Sequence, residues 1–302
     1  MKSLAEAIRP ITLVESSKLR DYLKADVTIA TETFQHTGSF KFRAAYNVVL
    51  NSPNDEFIGV SSGNFGQALA YACKVLDRKC TVIMPNTSAR VKIDAVRDFG
   101  AVADLIDVNV ISRNDRLEQL AAERPDAYLA SAFDDELVIE GNSTLADELL
   151  EMDIDAVIVP VGGGGLIAGT VKSIKRNGAS TEVYGVEPLM ANDAARSLRA
   201  GKIIANESEP QTIADGTRTL SLGQLTWPII HEGVKDILEV SEESIVEAAR
   251  LYFGLANLKC EPTGALSLAA LMTNLDIFKD KKVCVIVSGG NVDPAVYAKL
   301  IS

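Results

Sequence analysis

The chain has 302 residues, 47% hydrophobic and 24% charged, with a formal net charge of −11. That composition supplies ample core for one large domain or two closely packed ones and excludes a disordered chain. The acidic balance, without a cluster of Lys and Arg, argues against a nucleic-acid partner, and no apolar run approaches the roughly 18 residues of a membrane span.

The opening "MKSLAEAIRP" lacks the apolar centre of a signal peptide. Cys73, Cys80, Cys260 and Cys284 have neither CxxC nor zinc-ligand spacing, so buried free thiols in a reducing, cytoplasmic setting are expected. "DVTIATE" reads as the first strand, and "GSFKFRAAYNVVL", Gly38 to Leu50, reads as the helix that follows. Counting from Lys41 at helical spacing gives Ala44, Ala45, Val48 and Val49, an apolar stripe headed by a cation. With Ser39 as N-cap, Lys41 and Arg43 fall in the first turn, where the helix dipole opposes positive charge. A buried lysine there has a lowered pKa and becomes a candidate nucleophilic amine. The plainer alternative is a stem lying on apolar surface with its ammonium in water.

Further along, the strand "EFIGVSS" runs into "SSGNFG" and the helix "FGQALAYACKVL"; the strand "KCTVIMP" and the helix "ARVKIDAVRDFG" follow. Ser61, Ser62, Gly63 and Asn64 suit a carboxylate at the helix start, or Ser62 or Asn64 is a plain N-cap. After the helix "NSTLADELLEM", the strand "AVIVPVG" meets four glycines, Gly162 to Gly165, and then a helix. Successive N–H groups in such a loop cradle a phosphate, and four glycines exceed what a tight turn needs. Gly163, Gly165 and Ala168 also satisfy G-x-G-x-x-A, with Glu187 ending the next strand, "EVYGVEP", so a nicotinamide-dependent dehydrogenase is the rival on this segment. The helix "SEESIVEAARLYFGLANL" and the strand "KKVCVIVSGG" complete the pattern, the last ending at Ser288 to Asn291. His36 and His231 read as surface residues, without a Ser-His-Asp arrangement. Strands alternating with helices give an α/β class with mostly parallel sheets. Three glycine-rich corners at strand ends point to a ligand cleft.

In the order "TGSFKFRAA", "SSGNFGQALA", "PVGGGGLIAG", "EPTGALS", "SGGNVD", the chain resembles the fold-type II pyridoxal-phosphate enzymes. Within these it is most similar to the serine/threonine dehydratase and serine racemase group, from about Thr12 to Asp293. The resemblance implies a two-lobed, three-layer fold like the tryptophan synthase β chain. The large lobe would comprise residues 1–51 and 142–302, and the small lobe, residues 52–141, would be inserted in it. It implies that Lys41 carries pyridoxal 5'-phosphate as a Schiff base, with Phe40 beside the ring. Gly162, Gly163, Gly164 and Gly165 would hold the phosphate, Asn64 the ring's 3-oxygen and Ser288 the pyridine nitrogen. Ser61, Ser62, Gly63, Asn64 and Phe65 would bind the substrate carboxylate, and Ser62 would work on the ring face opposite Lys41. Glu187, the Ala191 carbonyl and Asp193 match the group's cation loop, suited to Mg²⁺ or Ca²⁺. Alternatively, Asp193 only favours the first turn of a helix.

The implied reaction is β-elimination of water from a small β-hydroxy amino acid, such as L-threonine or L-serine, to a keto acid and ammonia. The alternative is a serine or aspartate-type racemase sharing the same carbanion. A threo-3-hydroxyaspartate dehydratase, a β-replacement enzyme of the cysteine-synthase type and a non-catalytic amino-acid sensor rank behind these. Enzymes of this group often pair as homodimers, and with "SGGNVD" so near the end of the sequence no regulatory domain is expected. Departures fall near the expected cleft: Phe65 and Ser131 stand where the group commonly has histidine, and "GNST" where it has Gly-Gln-Gly-Thr. Arg113 matches an arginine near the group's substrate, although an exposed helix position is the simpler reading.

Overall fold

The structure, a computed structural model, describes residues 2–88 and 90–302. In chain order its strands are β1 (Thr12–Val14), β2 (Asp26–Thr31), β3 (Glu56–Val60), β4 (Lys79–Pro85), β5 (Val102–Ile106), β6 (Tyr128–Ala130), β7 (Ala156–Pro160), β8 (Glu182–Pro188), β9 (Asp236–Val240) and β10 (Lys282–Val287). They form two sheets. The larger runs β1-β2-β10-β7-β8-β9 with β1 alone antiparallel, and the smaller, all parallel, runs β5-β4-β3-β6.

The strands the sequence makes plain are the central ones. β7 is buried at every position and β10 at all but its first, as parallel strands covered on both faces must be. One core packs Ile29, Ile158, Val285 and Leu266 on one face of the larger sheet; another packs Val157, Val159, Ile286 and Leu145 on the opposite face. Helices therefore sandwich that sheet. Phe42, Ala45, Val48 and Val49 of helix Lys41–Asn51 pack instead with Phe57, Leu69 and Val82 of the smaller sheet and its helix. The chain thus leaves the larger sheet through this helix, builds β3 to β6, and returns through helix Glu136–Leu149 to β7.

Three readings change. Ser39 is not an N-cap: its backbone bridges to Gly289, its hydroxyl is buried without a partner, and Phe40 precedes the helix without a side-chain cap. The helix expected to open near Asn142 begins at Glu136, because Asp135 Oδ1 accepts the Leu137 and Val138 N–H groups. Gly141 sits inside that helix for a packing reason, since a Cβ there would fall 2.6 Å from the Arg43 carbonyl oxygen. His36 is not a surface residue: its ring packs 5.1 Å from that of Phe42, and Nε2 lies 3.0 Å from the Ala7 carbonyl oxygen. His231 is exposed, as expected, and stacks on Trp227. All four cysteines are free and buried.

Candidate active site

A cleft of about 280 Å³ opens where the carboxyl ends of β3, β6, β7 and β10 converge. It is the position where open α/β sheets bind ligands. Its wall takes in Phe40 and Lys41, the turn Ser61 to Phe65, the loop Gly162 to Gly165, and Ser288. Residues far apart in the chain meet there because each follows a strand or opens a helix.

Lys41 is the first residue of its helix, and its Nζ donates to the Ala132 carbonyl oxygen at 2.7 Å. The same nitrogen lies 4.9 Å from the Phe40 ring centroid and 5.8 Å from that of Phe65. Loss of water around the ammonium lowers its pKa to about 8, partly offset by the Glu261 carboxylate. The amine is therefore much closer to its neutral, nucleophilic form than an ordinary lysine. Arg43, in the same turn, is fully buried and bonds Glu32 through both Nε and Nη2 at 2.8 Å and Glu148 at 2.6 Å. That pairing offsets the dipole's opposition and ties the head of the helix to its neighbours.

Two further helices begin at the cleft without side-chain caps. Helix Asn64–Val75 follows Gly63, so neither Ser62 nor Asn64 caps it, and Ser61 Oγ accepts the Gly63 N–H at 3.2 Å. Helix Gly165–Arg176 follows Gly164, whose φ of +92° suits glycine. A Cβ on Gly163 would fall 2.2 Å from the Phe133 ring, so that ring lies directly on the loop. Two sets of open N–H groups with positive dipole ends thus face one cavity, an arrangement for two anions.

Glu261, Thr219 and Lys92 join the wall without a role in the sequence reading. Glu261 is buried, its carboxyl raised to about 8 by desolvation and then by Asp215. Its motif, "EPTGALS", is visible, but Glu before Pro also reads as an ordinary helix start. Thr219 joins Ser288 as a wall residue with a buried hydroxyl lacking a partner. Lys92 and Arg113 line the cleft and pair across it with Asp215 and Glu209 at 3.1 and 3.0 Å. Arg113 opens helix Arg113–Glu123 and is partly exposed, so the helix reading and the cleft reading both describe it.

Glu187, Ala191 and Asp193 lie apart from this cleft, at the end of β8. Glu187 is buried and accepts the Ala194 and Ala195 N–H groups at 3.1 and 2.8 Å. Desolvation and the neighbouring Asp193 push its carboxyl well above the usual range. Asp193, raised to about 7 by desolvation, accepts from Asn206 through Oδ1 while its buried Oδ2 has no partner. Two adjoining buried carboxyls with an orphaned oxygen fit a hard cation. Among the described residues no three His, Cys, Asp or Glu side chains cluster as a metal site, so backbone oxygens would complete the shell. Glu187 faces a helix rather than the glycine loop, which removes the ribose-binding acid of the dinucleotide reading.

Fold and site together define an α/β enzyme with an activated lysine between two anion cradles. A family model described as pyridoxal-phosphate dependent enzyme matches residues 4–289, and the chain belongs to that family. An L-threo-3-hydroxyaspartate ammonia-lyase from Pseudomonas sp is 38% identical, covering 92% of this chain and 88% of that protein. A serine racemase from Dictyostelium discoideum is 36% identical, covering 100% and 95%. The solved structure of a T.th. threonine deaminase superposes with a TM-score of 0.88 at 40% identity, covering 96% of this chain and 95% of that one. The cofactor is pyridoxal phosphate, and the enzyme is of the ammonia-lyase and racemase kind.

Proposed function

We propose that the protein removes water from a small β-hydroxy amino acid such as L-threonine or L-serine, giving a 2-keto acid and ammonia. The observation that supports it best is the meeting of Lys41, the Ser61–Phe65 turn and the Gly162–Gly165 loop in one cleft. Bound pyridoxal phosphate supplies a conjugated ring that takes up the electron pair left as the α-proton departs. The residues suit that group: a side chain on Gly162 or Gly163 would fill the cradle's surroundings, and the Ser288 hydroxyl waits without a partner.

Gly162 to Gly165 would hold the phosphate on backbone N–H groups, and Lys41 would hold the cofactor covalently. Phe40 would flank the ring, Asn64 would donate to its 3-oxygen, and Ser288 would face its nitrogen with a neutral hydroxyl. Ser61 to Phe65 would seat the substrate carboxylate at the uncapped helix start. Once the substrate's amine displaces it, the Lys41 amine would be free to take the α-proton and return one to the leaving hydroxyl, and a lowered pKa near 8 favours its neutral form. Ser62 would act from the other face, and a proton returned there yields the mirror-image amino acid. Glu187, the Ala191 carbonyl and Asp193 would hold Mg²⁺ or Ca²⁺ away from the chemistry, in a structural role.

A second reading has its own observation. Lys92 and Arg113 bring two cations to the cleft wall, which suits a substrate with a second carboxylate, L-threo-3-hydroxyaspartate. The test is release of keto acid and ammonia from L-threonine, L-serine and L-threo-3-hydroxyaspartate, with chiral analysis of the remaining amino acid. Release from any one supports elimination, and the ranking selects the substrate. Inverted amino acid without keto acid would replace the proposal with racemisation.

A further inference from the structure

We infer that Asn291 is a positioning residue: it locks the Asn64 amide with its nitrogen toward the cleft, and Glu261 holds the far side of the same amide. The inference rests on the reading that Asn64 donates to the cofactor's ring oxygen. It explains why an asparagine, whose two ends are alike in shape, presents a donor there.

The orientation is anchored in the backbone. Asn291 Nδ2 donates to the Thr37 carbonyl oxygen at 2.7 Å and to Asn64 Oδ1 at 2.8 Å. A backbone carbonyl only accepts, so it fixes which end of Asn291 is the nitrogen. Both hydrogens of that nitrogen are then spent, the second on Asn64. Asn64 must therefore point its oxygen at Asn291 and its nitrogen the other way. There Asn64 Nδ2 donates to Glu261 Oε1 at 2.8 Å, which leaves one hydrogen for a ligand. Glu261 lines the cleft and accepts in either protonation state.

Two glycines keep the chain of contacts open. Gly38, at φ +72°, would place a Cβ 2.4 Å from Asn291 Oδ1, and Gly289 would place one 2.7 Å from Glu261 Oε1. Both corners belong to motifs noted in the sequence, "TGSFKFRAA" and "SGGNVD", and Gly289 also admits the close approach of Ser39, whose Cβ would lie 2.8 Å from a Cβ there. A reversed Asn64 would set its carbonyl oxygen against the ligand's oxygen, turning an attraction into a repulsion.

The test is a double-mutant cycle on pyridoxal-phosphate affinity, read by absorbance titration of the apo-protein, with apo melting curves alongside. Asn291→Asp keeps the shape but cannot donate to Thr37 or Asn64, so Asn64 turns to donate to it. The expected dissociation constant rises about tenfold or more, and the pH midpoint of the loaded protein's visible band moves. In the Asn64→Ala background, Asn291→Asp adds less than about twofold, because its effect passes through Asn64. Asn291→Ser enters the same cycle and decides the matter if the aspartate variant does not fold. Affinity within about twofold of wild type for a folded Asn291 variant, with Asn64→Ala weakened, overturns the inference and leaves the Asn64 reading standing. Additive effects likewise overturn it. An unchanged affinity in Asn64→Ala overturns that reading and the inference together.

Discussion

The Lys41 ammonium donates to the Ala132 carbonyl oxygen at 2.7 Å, so the amine that heads one helix is tied to the segment after β6 in the other sheet. One carbonyl and the faces of Phe40 and Phe65 replace the water such a charge would have in solution. The pKa near 8 follows from that exchange.

A lysine held this way destabilises the apo fold. Its folded pKa lies below the ordinary 10.5, so the penalty is fully present below about pH 8 and fades as pH rises toward 10.5. Lys41→Met is expected to abolish keto-acid release while raising apo stability at pH 7 by about 1–3 kcal/mol. Urea unfolding checks it, and a variant less stable than wild type contradicts it.

Glu261 has the opposite sign. Its carboxyl keeps its proton to about pH 8 in the folded state but loses it near 4.5 when unfolded. Stability from this group is therefore present below about 4.5 and falls as pH rises to 8. Glu261→Gln should flatten that part of the apo stability profile. Profiles with equal slopes between pH 5 and 8 would count against it.

Adjoining buried carboxyls at Glu187 and Asp193 would bind a cation only when ionised, and both are raised, Asp193 to about 7. Mg²⁺ or Ca²⁺ should raise the melting temperature clearly at pH 8 and little at pH 5. Asp193→Asn should erase the pH 8 shift. An equal shift in that variant would place the cation elsewhere.

Arg113, paired with Glu209 at 3.0 Å, has an exposed carboxylate to exchange for a substrate's. If the substrate is a hydroxy diacid, Arg113→Gln should lower kcat/KM for L-threo-3-hydroxyaspartate roughly 10–100-fold, the worth of one charged hydrogen bond. L-threonine turnover should change little. Equal losses on both substrates would assign Arg113 a general structural role.

The central strands and the glycine corners are legible because their causes are local: continuous apolar runs and loops too rich in glycine for a turn. β1, β5, β6 and β9 are not, being edge strands whose place is set by pairing rather than pattern. The order of motifs brings Lys41, Asn64, the glycine loop and Ser288 together, and they do share a wall. Glu261, although it opens the visible motif "EPTGALS", reads there equally well as an ordinary helix start, and Lys92 and Thr219 reach that wall only through tertiary packing. The Ser39 cap fails for the same reason, since its backbone is engaged by Gly289, near the other end of the chain.

The central claim is that Lys41 carries the cofactor. Reduction of the loaded protein with borohydride, followed by digestion and mass mapping, tests it most directly. The expected result is a pyridoxyl group on the peptide containing Lys41 and loss of the label in Lys41→Ala. A label on Lys92, the other lysine of the cleft wall, or on no single lysine, would contradict it.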